Sequence, residues 1–217
     1  GHFFVLHGLR IFVIAISLSG LALPAAAAGP SLLFDAATGK VLSQERAGEP
    51  WYPASLTKMM TAYVIFQKLR AGTLKLDQQI TVSPIAAAQE PSKLGVPAGG
   101  TIKLNVALQS MLVYSANDMA YALAEAGSGS VGAFVTEMNG TAKAMGLAAT
   151  HYVNPNGLFD PRQLSSARDL AVLTSALIRE FPEHQHYFSQ PHVAVGKRKL
   201  MNRNSLIRVM PEADGMK

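Results

Sequence analysis

Across residues 56–69 the chain offers almost no polar face. Leu56, Met59, Met60, Tyr63, Val64, Ile65, Phe66 and Leu69 sweep round the circumference of a helix. A helix apolar on nearly every side has to lie inside a molecule, so the rest of the chain must be arranged to cover it. Pro53 favours a helix that opens near Ala54 or Ser55, and Ala71-Gly72 ends it near Arg70. The mouth of this helix carries Ser55 and, three residues on, Lys58. Residues three apart on a helix stand one above the other, so hydroxyl and amine come within hydrogen-bond reach. A serine at a helix start also sits beside free backbone N–H groups, which suit an anion forming on an attacked carbonyl. A lysine buried there loses its charge readily, and a neutral amine beside a hydroxyl is a base beside a nucleophile. By itself Ser-x-x-Lys also describes an ordinary N-cap with a solvated lysine, so its meaning depends on context.

The first 28 residues read as a segment apart from the fold. Arg10 precedes an apolar run over 11–23, then Pro24 and four alanines, the arrangement of an export leader cleaved near Ala27 or Ala28. The run is short for a membrane span. An exported chain with no cysteine holds its fold by its core alone. Removing Arg10 takes the net charge from +5 to +4, and the late cluster Lys197, Arg198, Lys199, Arg203 and Arg208 is basic. Export argues against nucleic acid as its partner; a solvated face near an anionic surface or acidic substrate fits better.

The remaining 29–217 reads as one domain. Residues 31–34 and 40–43 form a hairpin about a turn rich in Asp, Thr and Gly. Residues 74–82 read as a short extended segment and 83–88 as a short helix. Residues 91–100 form a Pro/Gly-rich loop in which Ser92-Lys93 reads as loop surface, with the border of a cleft as the alternative. Asn105 is a candidate cap for a helix over 106–114. Ser115-Ala116-Asn117 then interrupts the apolar pattern before a second helix over 118–126. Because Ser and Asn are weak interior helix residues, the triplet reads as a tight turn presenting two short polar side chains inward. A helix over 131–145 follows. Ser166-Ala167-Arg168-Asp169 is a capping box for the helix over 170–180, and strands at 193–195 and 198–201 meet at Gly196. His151 lacks a matching carboxylate pattern and reads as structural. His184 and His186 are too closely spaced to share a helix face, so no metal and no cofactor is expected.

Ser55-x-x-Lys58 together with Ser115-Ala116-Asn117 resembles the motif set of penicillin-binding serine enzymes. The likeness extends over Asp35-Ala36-Ala37-Thr38-Gly39-Lys40, Tyr52-Pro53-Ala54-Ser55-Leu56-Thr57-Lys58, Thr150-His151-Tyr152-Val153-Asn154-Pro155-Asn156-Gly157-Leu158 and Ala167-Arg168-Asp169-Leu170. These stretches look like the low-molecular-mass penicillin-binding proteins, the serine-type D-alanyl-D-alanine carboxypeptidases. The resemblance implies an α+β fold, with an antiparallel sheet flanked by a helical cluster. It implies Ser55 as nucleophile, Lys58 as base, Ser115 as proton relay, and Asn117 and Lys217 as substrate-binding residues. Lys217, after Asp214-Gly215-Met216, looks like the Lys of the family's Lys-Thr-Gly element. On that reading the chain stops short of the remaining strands, a second oxyanion donor and a membrane-associated C-terminal tail, and is expected to be inactive as given. The implied partners are a peptidoglycan stem peptide ending in D-Ala-D-Ala and β-lactam antibiotics. A class A β-lactamase would need a deacylating glutamate, and residues 154–166 contain none. Endopeptidase action on cross-links and a catalytically inactive wall-binding role stay open as alternatives.

Overall fold

The computed structural model describes residues 13–17, 29–35, 38–203 and 207–209. Its centre is helix α1, Thr57–Ala71, led in by a single 3-10 turn at Ala54–Leu56. Every residue from 56 to 66 is buried, as the apolar circumference requires. Gly72, with φ +78°, closes the helix in the left-handed region. Helices α3 (Leu104–Tyr114), α4 (Asn117–Ser128), α5 (Val131–Ala144) and α6 (Ala167–Glu180) pack round α1. Short helices α2 (Pro84–Ala87) and α7 (His186–Ser189) fill in against α4 and α3. Ser83, Ser130 and Ser166 cap their helices by accepting from backbone N–H groups three residues on. The Asp169 carboxylate does not complete a capping box. It accepts instead from the Ala149 N–H and the Thr150 hydroxyl, tying α6 to the preceding loop.

The main sheet is antiparallel, in the order β3 (Val41–Glu45), β2 (Ser31–Asp35), β1 (Val13–Ser17), β8 (Ile207–Val209). Strands β1 and β2 lie against α6. Ile16, Leu32 and Phe34 are buried, the two-residue alternation of a sheet with one covered face. Burying a side chain of the size of Phe34 contributes roughly 1.5–3 kcal/mol. Strand β3 is exposed along its whole length. Two small hairpins, β4–β5 (Gln79–Thr81 with Thr101–Lys103) and β6–β7 (His192–Val195 with Arg198–Met201), complete the strands. The fold is α+β, with the helical cluster on the sheet.

Two expectations are revised here, the cap at Asn105 and the extent of the 74–82 segment, and the leader stretch carries a strand. Val13–Ser17, inside the segment set apart as a leader, is a strand paired with β2. Its Val and Ile residues suit an extended chain as well as an apolar leader. Asn105 does not cap α3, which begins one residue earlier. Its carboxamide oxygen accepts from the Tyr187 hydroxyl and from Gln109 Nε2. Only residues 79–81 of the 74–82 stretch are a strand. In the first hairpin the Asp35 N–H and carbonyl pair with Lys40 and Gly39, while Ala36 and Ala37 lie outside the described residues. Among the described residues no helix is long and apolar enough to cross a membrane.

Candidate active site

Four segments meet at the mouth of α1. The first is the 3-10 turn that carries Ser55. Ala54 takes φ +48° there, an uncommon value for a residue with a Cβ. The second is the Ser115-Ala116 turn between α3 and α4, with Ser115 left-handed at φ +62°. The third is residues 89–95 and the fourth residues 154–158. Together they enclose a cavity of about 270 Å³ lined by Ser55, Pro91, Ser92, Ser115, Asn117, Asn156, Gly157 and Leu158. The residues picked out in the sequence as Ser55, Ser115 and Asn117 therefore face one space. Lys217 lies outside the described residues.

Lys58 lies beneath this cavity, 3% exposed. Its Nζ donates to Asn117 Oδ1 at 2.8 Å and to the Asn156 carbonyl at 2.7 Å. Burial lowers its pKa from an ordinary 10.5 to about 7, because water no longer solvates the ammonium. A neutral primary amine has two N–H donors and one lone pair. The two oxygens take both donors of the neutral amine, which leaves its lone pair uncommitted.

Asn117 is oriented by its other groups. Its Nδ2 donates to the Glu90 carbonyl at 2.9 Å, and its N–H donates to the Ser92 carbonyl at 2.7 Å. With the amide nitrogen so occupied, the oxygen must face Lys58. Asp118, fully buried, accepts from the Leu94 and Gly95 N–H groups and holds the 91–100 loop against α4. Arg203 lies 4.3 Å over the Tyr114 ring and donates to Ser92 Oγ at 2.6 Å, and Arg198 donates to the Leu94 carbonyl. Two members of the basic cluster thus brace this loop.

The fourth segment lies in the 150–158 stretch that carries the family likeness, but no residue in it was assigned a role from sequence. Asn156 is 1% exposed; its side chain accepts from the Leu158 N–H and donates to Gln89, which turns its backbone carbonyl toward Lys58. The Thr61 hydroxyl holds the neighbouring Pro155 carbonyl at 2.7 Å. Gly157, at φ +85°, presses on the turn that carries Ser55 so closely that a Cβ there would lie 1.8 Å from the Ala54 carbonyl oxygen. Only glycine combines that φ with that approach. Paired bridges from Trp51 to Ser165 and from His151 to Leu164 hold this loop beside the turn. The exposed His151 enters through its backbone. The sequence signals for this wall were the turn-forming Asn-Pro-Asn-Gly run and the likeness of residues 150–158 to the resembled family.

Size does not locate the site. A cleft of about 1020 Å³ lies between α1, α5 and α6, where Lys68 pairs with Glu137 at 2.8 Å and the Tyr63 hydroxyl donates to Glu180 at 2.8 Å. His184 stacks on Phe66 at 4.4 Å. Among the described residues no group of three His, Asp or Glu is placed to hold a metal ion.

The sequence profile of a family described as D-alanyl-D-alanine carboxypeptidase matches residues 19–217. The chain is 35% identical over 202 residues to D-alanyl-D-alanine carboxypeptidase DacA of Haemophilus influenzae, covering 91% of this chain and 51% of that protein. It is 37% identical over 193 residues to DacC of Escherichia coli, covering 86% and 48%. The structure resembles penicillin-binding protein 5 from Haemophilus influenzae with a TM-score of 0.79 and 35% identity, over 86% of this chain and 55% of that one. The chain spans about half the length of the curated relatives it matches.

Proposed function

The chain belongs to the D-alanyl-D-alanine carboxypeptidase family, and from that premise we propose that the protein removes the terminal D-alanine of peptidoglycan stem peptides through an acyl-enzyme on Ser55. The observation that supports this most directly is the state of Lys58: buried, lowered to about 7, and held by two acceptors that leave its lone pair free. Ser55 Oγ attacks the carbonyl carbon of the terminal peptide bond while its proton passes to Lys58 Nζ. The Ser55 N–H, at the start of a helical turn, supports the oxyanion. The proton then reaches the leaving nitrogen by way of Ser115, on the same cavity wall, as the C–N bond breaks and D-alanine departs. Asn117 holds the peptide and the amine together, and Lys217 attracts the terminal carboxylate as a point charge. Water, deprotonated by the same amine, cleaves the ester and restores the hydroxyl. A β-lactam enters the same sequence at Ser55, and its ester hydrolyses slowly.

The test is labelling of the full-length protein by a fluorescent penicillin. Ser55→Ala should abolish it, since no other oxygen occupies that position. Labelling of that variant at the wild-type rate would sink the assignment.

The reading includes export. Arg10, the apolar run and the alanine cluster support residues 1–28 as a leader, whose cleavage would remove strand β1 and leave β2 paired with β3, and which would place the enzyme at the periplasm or outer face of the membrane. The intact mass of secreted protein decides it: a mass retaining residues 11–23 refutes cleavage near Ala28.

A further inference from the structure

Lys197-Arg198-Lys199 is the only run of three basic residues in the sequence, and the structure sets it beside the cavity. Side chains along β7 alternate. Leu200 turns inward and is buried, and Arg198, two residues away, turns the same way and donates to the Leu94 carbonyl. Lys199 lies between them and faces out, opposite Ala194 in the ladder, and Lys197 stands exposed at the turn. At its other end the hairpin leads to Arg203, which donates to Ser92 Oγ at 2.6 Å, and Ser92 lines the cavity. At about 3.3 Å per residue, Lys199 lies roughly 13 Å and Lys197 roughly 20 Å along the chain from Arg203.

The charges of this hairpin are balanced differently from those elsewhere. Arg46, Lys68, Arg70 and Arg162 each pair with a carboxylate. Arg198 and Arg203 touch a carbonyl, a hydroxyl and a ring, none of which carries charge. Among the described residues no carboxylate pairs with Lys197 or Lys199. Of the acids on the neighbouring segments, Asp118 is buried and committed to the Leu94 and Gly95 N–H groups, while Glu90 is exposed on the loop. The hairpin is therefore a ridge of uncompensated positive charge that ends at the cavity wall, and such a field attracts and holds a polyanion.

We infer that Lys197 and Lys199 form a docking ridge for polymeric peptidoglycan, where they bind carboxylates of stems other than the one being cut. The inference rests on the peptidase reading given above. Every stem that ends in D-alanine carries a carboxylate, so a polymer of such stems is a polyanion. The terminal carboxylate of the stem under attack lies in the cavity, too far from either lysine to touch it. A neighbouring stem of the same polymer reaches them, and each added contact prolongs residence at the site. Continuity of the ridge with the cavity favours the wall polymer over an anionic membrane as the partner.

The experiment compares the full-length protein with the double variant Lys197→Gln, Lys199→Gln and with a control pair, Lys75→Gln, Lys143→Gln, which removes two exposed lysines from other surfaces. The substrates are purified peptidoglycan and a soluble single stem peptide, both ending in D-alanyl-D-alanine. At low ionic strength the double variant should release D-alanine from the polymer with kcat/KM about fivefold lower, mainly in KM, as two weak exposed ion pairs provide. On the single stem it should stay within about twofold of wild type. The gap on the polymer should close at about 0.5 M salt, where exposed charges are screened within a few ångströms. Pelleting with the insoluble polymer gives a second reading that needs no turnover. The double variant should pellet less than wild type, and the two should pellet equally with polymer whose carboxylates have been converted to amides. Equal turnover of the polymer by wild type and double variant, an equal loss in the control pair, or a loss of the same size on the single stem overturns the ridge. So does unchanged pelleting with the polymer alongside lysine-dependent sedimentation with anionic lipid vesicles, which would assign the ridge to a membrane. Lysine-dependent pelleting without penicillin labelling or D-alanine release removes the peptidase reading and leaves the ridge standing.

Discussion

Around Lys58, segments far apart in the chain meet through buried polar groups, its two acceptors lying 59 and 98 residues away. The main sheet is assembled from strands of three to five residues held by ladder bonds and a few apolar side chains, and its edge strand β3 is wholly exposed. The pocket is therefore specified by directional contacts, each of which fixes an atom. The sheet is specified by burial, which fixes a face but no single atom. In the first region a substitution should change chemistry more than stability, and in the second stability more than chemistry.

The sharpest test is at the amine. Lys58→Ala should lower acylation by penicillin about 10²–10⁴-fold while the protein remains folded. The pH dependence follows from the same group. Its folded pKa, about 7, lies below the ordinary 10.5, so the folded state holds this proton less tightly than the unfolded chain does. The group's contribution to stability therefore rises with pH between about 7 and 10.5 and is flat outside that window. Acylation should climb with pH up to about 7 and then level off. Melting curves and acylation rates across that range check both trends, and Lys58→Met should remove the stability rise.

The converse test is at Phe34, 2% exposed on β2. Phe34→Ala should lose about 3–5 kcal/mol of stability in denaturant titrations. Acylation per folded molecule should stay within about threefold; a hundredfold loss would show that the sheet positions reacting atoms and would erase the contrast.

Gly157→Ala should fall between the two. The added methyl has to displace the Ala54 carbonyl and accept a left-handed φ. We expect a loss of about 2 kcal/mol in stability together with a roughly hundredfold slower acylation, since small displacements of a nucleophile carry that penalty. At the small end, Leu42→Ser on exposed β3 should change stability by less than about 0.5 kcal/mol.

Much of this was legible in the sequence where the signal is local. The apolar circumference over 56–69 announced the central helix, Ser55 and Lys58 announced their shared face by spacing, and Ser115-Ala116-Asn117 announced a break by its poor helix formers. The contribution of Asn156 was not legible, because it offers Lys58 a backbone carbonyl, a group every residue has. Nor was the bracing of Ser92 by Arg203, a contact across 111 residues that no local pattern encodes. Asn105 misled because an amide at a helix start suits a cap, and only the approach of Tyr187 gives it a different partner. Val13–Ser17 carries both a leader's hydrophobicity and a strand's branching, and sequence alone does not choose between them.

The contact between Gly157 and Ala54 also couples two positions that inheritance could otherwise change separately. The space that a side chain at 157 would need is filled by a main-chain oxygen, which no substitution at 54 deletes. A library randomised at 157 should thus return glycine almost exclusively, and any other survivor should carry a compensating change within 53–56, where the turn can be rerouted. If Ser55 is acylated as proposed, this loop would be a place where inherited change alters the rate of reaction with a drug without altering any atom the drug touches.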